Sequence, residues 1–172
     1  DAIDLADQVF LFKRTMREAA HRHGIYATFM AKPMSDEPGS AMHIHQSLED
    51  AEGRNLFGTS EGGNSALFMH FIAGLQKYTP AVTALLAPNV NSYRRLTFGE
   101  SAPRNVQWGV ENRTCGLRVP FSEPSARRVE NRFAGADANP YLALAATLAC
   151  GYLGMLEKLE PMQEMKASAY DL

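Results

Sequence analysis

The chain has 172 residues, 45% of them hydrophobic and 21% charged, with a net charge of -2. That is enough apolar material for one domain with a core, and the composition is that of an ordinary globular protein. No excess of positive charge draws the chain to nucleic acid or to an anionic membrane surface, so neither is expected as a partner. Two cysteines, Cys115 and Cys150, are too few for a disulfide framework and fit a reducing cytoplasm. The first residue is Asp1 and a helical pattern follows almost at once, which reads as a segment of a longer protein.

From Asp4 to His23 the apolar residues Leu5, Val9, Phe12, Met16 and Ala19 recur at spacings of four and three. This predicts an amphipathic helix with Asp4 as its cap and Gly24 as its stop. Ile25 to Ala31 reads as a strand, residues 33–39 as a turn-rich loop, and Met42 to Leu48 as a second strand. Residues 49–64 are polar and glycine-rich, so they read as a mobile surface connection. Ser65 to Leu86 carries Leu67, Phe68, Phe71, Ile72, Leu75 and Tyr78 at helical spacing, with a break expected near Pro80. Residues 88–105 look irregular and resemble a ligand-covering flap. Val106 to Val110, Gly116 to Phe121 and Arg127 to Phe133 are strand candidates. Asn139-Pro140 opens a long, almost wholly apolar helix to Leu156, read as buried against a sheet and too rich in Ala and Gly to be a membrane span.

Two of these strands carry the chemistry. In Met42-His43-Ile44-His45-Gln46-Ser47-Leu48, alternation puts His43, His45 and Ser47 on one face, and Met42, Ile44, Gln46 and Leu48 on the other. Imidazoles beside a hydroxyl suit a metal next to a phosphate. In Arg127 to Phe133, Arg128, Glu130 and Arg132 share one face while Val129 and Phe133 share the other. A carboxylate between two guanidiniums can hold a divalent cation and anionic ligands together. Taken singly, each stretch also fits a plain alternative, histidines bonded to backbone or a solvated salt-bridge face. Together they favour a site for a metal, a phosphate and a carboxylate.

The ordered series Lys32-Pro33, Gly39 to Ser47, Asn91 to Leu96, Asn112-Arg113-Thr114, Arg118-Val119-Pro120, Arg127 to Arg132 and Asn139 to Leu142 resembles the C-terminal part of the glutamine synthetase catalytic domain. The resemblance spans essentially all of residues 1–172 and implies a partial catalytic domain. The fold it implies is α+β, an antiparallel sheet lined with polar metal- and ATP-site residues and packed against long helices. It implies an ATP-dependent ligase that makes a γ-glutamyl phosphate and then joins the γ-carbonyl to ammonia or an amine. The cofactors implied are ATP and Mg²⁺ or Mn²⁺. His43 and Glu130 match metal ligands; His45, Gln46, Ser47, Arg113, Arg118 and Arg128 match contacts to the nucleotide and its phosphates, with Arg113 and Arg118 also in a catalytic role. Gly39, Arg95 and Arg132 match contacts to glutamate.

Three positions depart from the family pattern. Pro38 stands where Asn commonly precedes the loop glycine, and Ser125 where Lys commonly precedes the Arg-Arg pair. Ser101 falls at the flap position usually held by Glu, with Glu100 one place early. Loss of that carboxylate weakens the case for ammonium and favours a larger amine, as in the γ-glutamylpolyamine synthetase branch. An ammonia-specific glutamine synthetase is the alternative, and a non-catalytic folding or assembly remnant is a third reading. The resemblance further implies a homo-oligomeric ring with active sites between subunits, and upstream glutamates for most of the metal ligation, so the segment alone is expected to be inactive. The end, Tyr170-Asp171-Leu172, resembles the segment adenylylated on tyrosine in some bacterial members.

Overall fold

A computed structural model of the chain describes residues 1–97 and 102–170. The first helix, α1 (Ala2–Arg22), is capped by Asp1 and not by Asp4 as the periodicity suggests. The Asp1 carboxylate accepts from the Ile3 and Asp4 amides, and Asp4 reaches back to complete a capping box. Gly24, at φ +68°, ends the helix: its N–H bonds to the His21 carbonyl while that of Ile25 bonds to Ala20. This pairing needs a left-handed residue, which glycine adopts without a Cβ clash. Residues 25–31 form no strand, because no neighbouring strand among the described residues offers them a ladder.

Four short strands make one sheet: β1 (Ile44–Gln46), β2 (Trp108–Val110), β3 (Leu117–Val119) and β4 (Val129–Asn131), in the order β1-β4-β3-β2. β4 is antiparallel to both of its neighbours, but β2 and β3 run parallel, so the sheet is mixed and not wholly antiparallel. Parallel strands usually need a long crossover. Here residues 111–116 return the chain alone, since strands of three residues span only about 10 Å. Glu111, at φ +52°, starts that return. Ile44, Leu117, Val119, Val129 and Trp108 form the buried side of the sheet and join the core.

Helix α2 (Ala66–Leu86) runs unbroken through Pro80, contrary to the break expected there. Its Phe68, Phe71, Ile72 and Leu75 are buried, and packing holds the helix through the one missing backbone donor. Residues 49–64 are likewise better fixed than their composition suggests. Phe57 is fully buried against Phe68 and Phe71, and Asn55 donates to the Arg127 carbonyl. Residues 90–97, read as irregular, form α3 (Val90–Thr97); Asn and Ser are poor helix interiors but good caps, and Asn89 and Ser92 bond reciprocally at its start.

Helix α4 (Pro140–Glu157), capped by Asn139, packs mainly on α2 and secondarily on α1, while its Ala143 and Cys150 share the core with the buried side of the sheet. It leaves Tyr152 and Leu156 exposed. Among the described residues, no helix is long and apolar enough to cross a membrane. The α2–α4 seam is backbone against backbone. A Cβ on Gly154 would lie 2.2 Å from the His70 carbonyl oxygen and 2.5 Å from the Gly74 Cα. Gly154→Ala gains about 1 kcal/mol of helix propensity but must push two helices apart, at a cost of roughly 1–3 kcal/mol or more. The substitution is expected to lower the midpoint of urea unfolding; an unchanged or higher midpoint would show that the seam is slack.

Candidate active site

The sheet register sets the site. His45 pairs with Glu130, and Glu130 with Arg118, so these three side chains stand in one row on the face away from the core. Alternation places His43 and Ser47 on the same face of β1 and its extensions, and Arg128 and Arg132 on that of β4. Ile44 and Asn131, one residue along, point to the buried side.

Glu130 is the centre of this face, with its side chain only 4% exposed. Its Oε1 lies 2.8 Å from His43 Nδ1 and accepts from Arg132 Nη1 at 2.9 Å. Its Oε2 accepts from Arg118 Nη1 at 2.6 Å. Burial opposes ionisation of this carboxyl, but the hydrogen bonds from His43 and Arg118 and the charge of Arg132 outweigh it, so the pKa sits well below the ordinary carboxylate range. Arg118 is held from its other side by Glu111, through Nη2 at 2.8 Å, and Glu111 also accepts from the Phe121 amide at 2.6 Å. Arg128 donates from Nε to His45 Nδ1 at 3.3 Å. Burial, followed by the charges of Arg128, His43 and Arg118, lowers the His45 pKa against the pull of Glu130. A lowered pKa favours a neutral imidazole.

Around this face the carboxylates of Glu130 and Glu111 meet the guanidiniums of Arg118, Arg128 and Arg132, leaving an excess of cationic charge suited to a polyanion. His43 Nδ1 and Glu130 Oε1 form a nitrogen–oxygen donor pair that a divalent cation can share. Two donors make only part of a coordination shell. Among the described residues, no group of three or more His, Cys, Asp or Glu side chains is arranged to hold a metal.

The remaining predicted residues fall around this centre. Ser47 is exposed on the His45 face, while Gln46 is buried with no hydrogen-bond partner on either amide atom. All three border a cavity of about 320 Å³ beside the start of α1. Arg113 is exposed in the β2–β3 connection and shares no hydrogen bond or ion pair with Glu130. Arg95 on α3 is 4% exposed and donates to the Phe133 and Arg132 carbonyls at 2.8 and 3.0 Å. Burial and the charge of Arg132 lower its pKa to about 10, with Asp137 opposing. Gly39 lies against Arg95, and a Cβ there would come within 2.6 Å of the Ala31 carbonyl oxygen and 2.9 Å of Arg95 Cγ. Ser101, with Glu100, lies outside the described residues.

Sequence reasoning passed over Glu111 and Asp137, and it quoted Asn91 within a motif without giving it a role. Glu111 is set by a left-handed backbone that nothing in its neighbourhood announces. The Asn89-x-x-Ser92 spacing was a usable cap signal for α3, and with it the placement of Asn91 beside Lys32.

Comparison with known proteins gives the family and the fold. The family model for the glutamine synthetase catalytic domain matches residues 1–172. The chain belongs to the glutamine synthetase catalytic-domain family. It is 44% identical over 164 residues to a gamma-glutamylputrescine synthetase of Escherichia coli (strain K12), covering 95% of this chain and 34% of that protein. It is 42% identical over 172 residues to a glutamine synthetase of Pyrococcus abyssi, covering 100% and 39%. The fold matches a solved structure described as apo GmaS without ligand, with a TM-score of 0.87 and 38% identity, covering 99% of this chain and 39% of that one. The chain thus spans somewhat over a third of the length of these relatives.

Because Glu130, Arg118 and Arg132 are all largely buried, removing the carboxylate leaves Arg132 without its carboxylate partner and Arg118 with Glu111 alone. Glu130→Ala is expected to lower folding stability by about 3–5 kcal/mol in denaturant unfolding near pH 7. The pH dependence has a definite sign. Folding lowers the Glu130 pKa, so its contribution is complete above the unfolded value of about 4.3 and fades as pH falls through the folded one. The stability gap between wild type and Glu130→Gln should therefore be widest near neutrality and narrow below about pH 4. A gap that stays constant or widens with acid would contradict the ion-pair account.

Proposed function

We propose that this chain is part of the catalytic domain of an ATP-dependent ligase that joins the γ-carboxyl of glutamate to a primary amine or polyamine. The observation that carries the proposal is the buried Glu130 carboxylate, held between His43, Arg118 and Arg132 on one sheet face. In this reading His43 and Glu130 hold a divalent metal, Mg²⁺ or Mn²⁺, together with ligands from outside the chain. A bound metal supplies charge neutralisation at the transferring phosphoryl group.

The chain's own residues do the positioning. His45, Ser47 and Arg128 face ATP, Gln46 borders the same cavity from the buried side, and Arg113 and Arg118 balance charge that builds on the phosphates as the γ-phosphoryl moves. Arg132, Arg95 and Gly39 orient glutamate. A γ-carboxylate oxygen attacks the γ-phosphorus, the bond to ADP breaks, and a γ-glutamyl phosphate forms. The amine nitrogen then attacks the γ-carbonyl carbon, the carbon–oxygen bond to phosphate breaks, and the nitrogen gives up a proton. Glu111 fixes Arg118 from behind, so its guanidinium need not be reorganised during transfer.

The acceptor rests on Ser101: a hydroxyl there attracts ammonium less than a carboxylate does and is a poor proton acceptor. Relatives of both kinds, a gamma-glutamylputrescine synthetase and a glutamine synthetase, match almost equally, so ammonia remains the second reading. A cytoplasmic ring of identical subunits is the proposed setting. For the full-length enzyme, supplied with ATP, glutamate and Mg²⁺, phosphate release should be faster with putrescine or a primary monoamine than with ammonium at equal concentration. A clear preference for ammonium would make the enzyme a glutamine synthetase proper.

A further inference from the structure

Helix α3 is tied down at three places, and each tie leads to the glutamate end of the proposed site. Asn91 holds the Lys32 backbone both ways: its Oδ1 accepts from the Lys32 amide at 2.7 Å, and its Nδ2 donates to the Lys32 carbonyl at 2.8 Å. Arg95 packs its stem on Gly39 and donates to the carbonyls of Arg132 and Phe133. At the helix start, Asp137 Oδ2 accepts from Ser92 Oγ at 2.5 Å and from Asn89 Nδ2 at 3.0 Å. Ser92 is itself buried, and its Oγ accepts the Asn89 amide, so Asp137 closes a small network around the first turn.

The third tie stands out chemically. Asp137 is absent from the proposed chemistry, yet its Oδ1 is buried with no hydrogen-bond partner. That oxygen lies against the backbone of Gly135, where an added Cβ would sit 2.4 Å away. A half-buried carboxylate in such a place needs compensation. It comes from Asn89, just before α3, from Ser92 within it, and from the fields of Arg95 and Lys13, the latter donating to the neighbouring Ala138 carbonyl. Asp137 thus joins the segment after β4, which carries Arg132, to the helix that carries Arg95.

We propose that Asp137 is a positioning residue that latches α3 and so sets Gly39, Arg95 and Arg132 for glutamate. The proposal rests on the reading of those three residues given above. In the full-length enzyme, Asp137→Ala should raise the KM for glutamate about five- to tenfold while leaving the KM for ATP within about twofold, as for loss of orientation at one substrate only. Asp137→Asn keeps an oxygen that accepts from Ser92 and Asn89, and it should restore most of the glutamate affinity. Parallel rises in both KM values, an unchanged glutamate KM in Asp137→Ala, or no rescue by Asn would overturn the proposal. Hydrogen–deuterium exchange tests the latch without turnover. Amides of residues 90–97 should exchange faster in Asp137→Ala than in wild type and Asp137→Asn, and equal protection in all three would also overturn it. If wild-type enzyme shows no glutamate-dependent phosphate release, the ligase reading has failed and the exchange experiment alone decides the latch.

Discussion

A single buried carboxylate governs the polar face of this molecule. Glu130 would be expensive to bury alone, and it is tolerated because three cationic or proton-donating groups converge on its two oxygens. Those groups come from three strands or their extensions, so the carboxylate also fixes the relative setting of β1, β3 and β4. One interaction therefore serves stability and, in the proposed function, chemistry as well. The same oxygen that satisfies His43 and Arg132 is the one best placed to share a cation with His43.

This arrangement requires a rigid backing. The other side of the sheet is packed with Ile44, Leu117, Val119 and Val129, and behind it α2 and α4 meet backbone to backbone through Gly74 and Gly154. A three-residue strand has little ladder of its own, so its register depends on the residues it buries. Slipping β4 by one residue would send Glu130 into the core and Val129 to the polar face. The outer edge of β2 is covered by the chain's last segment, where the Met165 amide bonds to the Trp108 carbonyl and the Trp108 indole donates to that of Met162.

Alternation alone was enough to put His43, His45 and Ser47 on one face and Arg128, Glu130 and Arg132 on another, and the helices α1, α2 and α4 were legible from period and caps. A period-2 pattern does not say which strands are neighbours; the pairing of those two follows from the resemblance, in which His43 and Glu130 share a metal, and β1 and β4 are indeed adjacent. Helix α3 escaped because it is only eight residues long and has Asn91 and Ser92, which are weak in helix interiors, in its first turn; tertiary hydrogen bonds hold it. Pro80 misled in the opposite direction, a strong local breaker overridden by burial of the helix around it. The parallel β2–β3 pair depends on the left-handed Glu111, a conformation its residue type does not advertise.

The central claim is that His43 and Glu130 form one half of a metal site and not merely an ion pair. Titration of full-length protein with Mn²⁺, followed by electron paramagnetic resonance of the free ion, measures this without turnover. His43→Ala leaves Glu130 paired with Arg118 and Arg132, so folding should survive, as circular dichroism can check. The account predicts that this variant binds one Mn²⁺ about tenfold or more weakly than wild type. Equal Mn²⁺ affinity in a folded His43→Ala protein would contradict it.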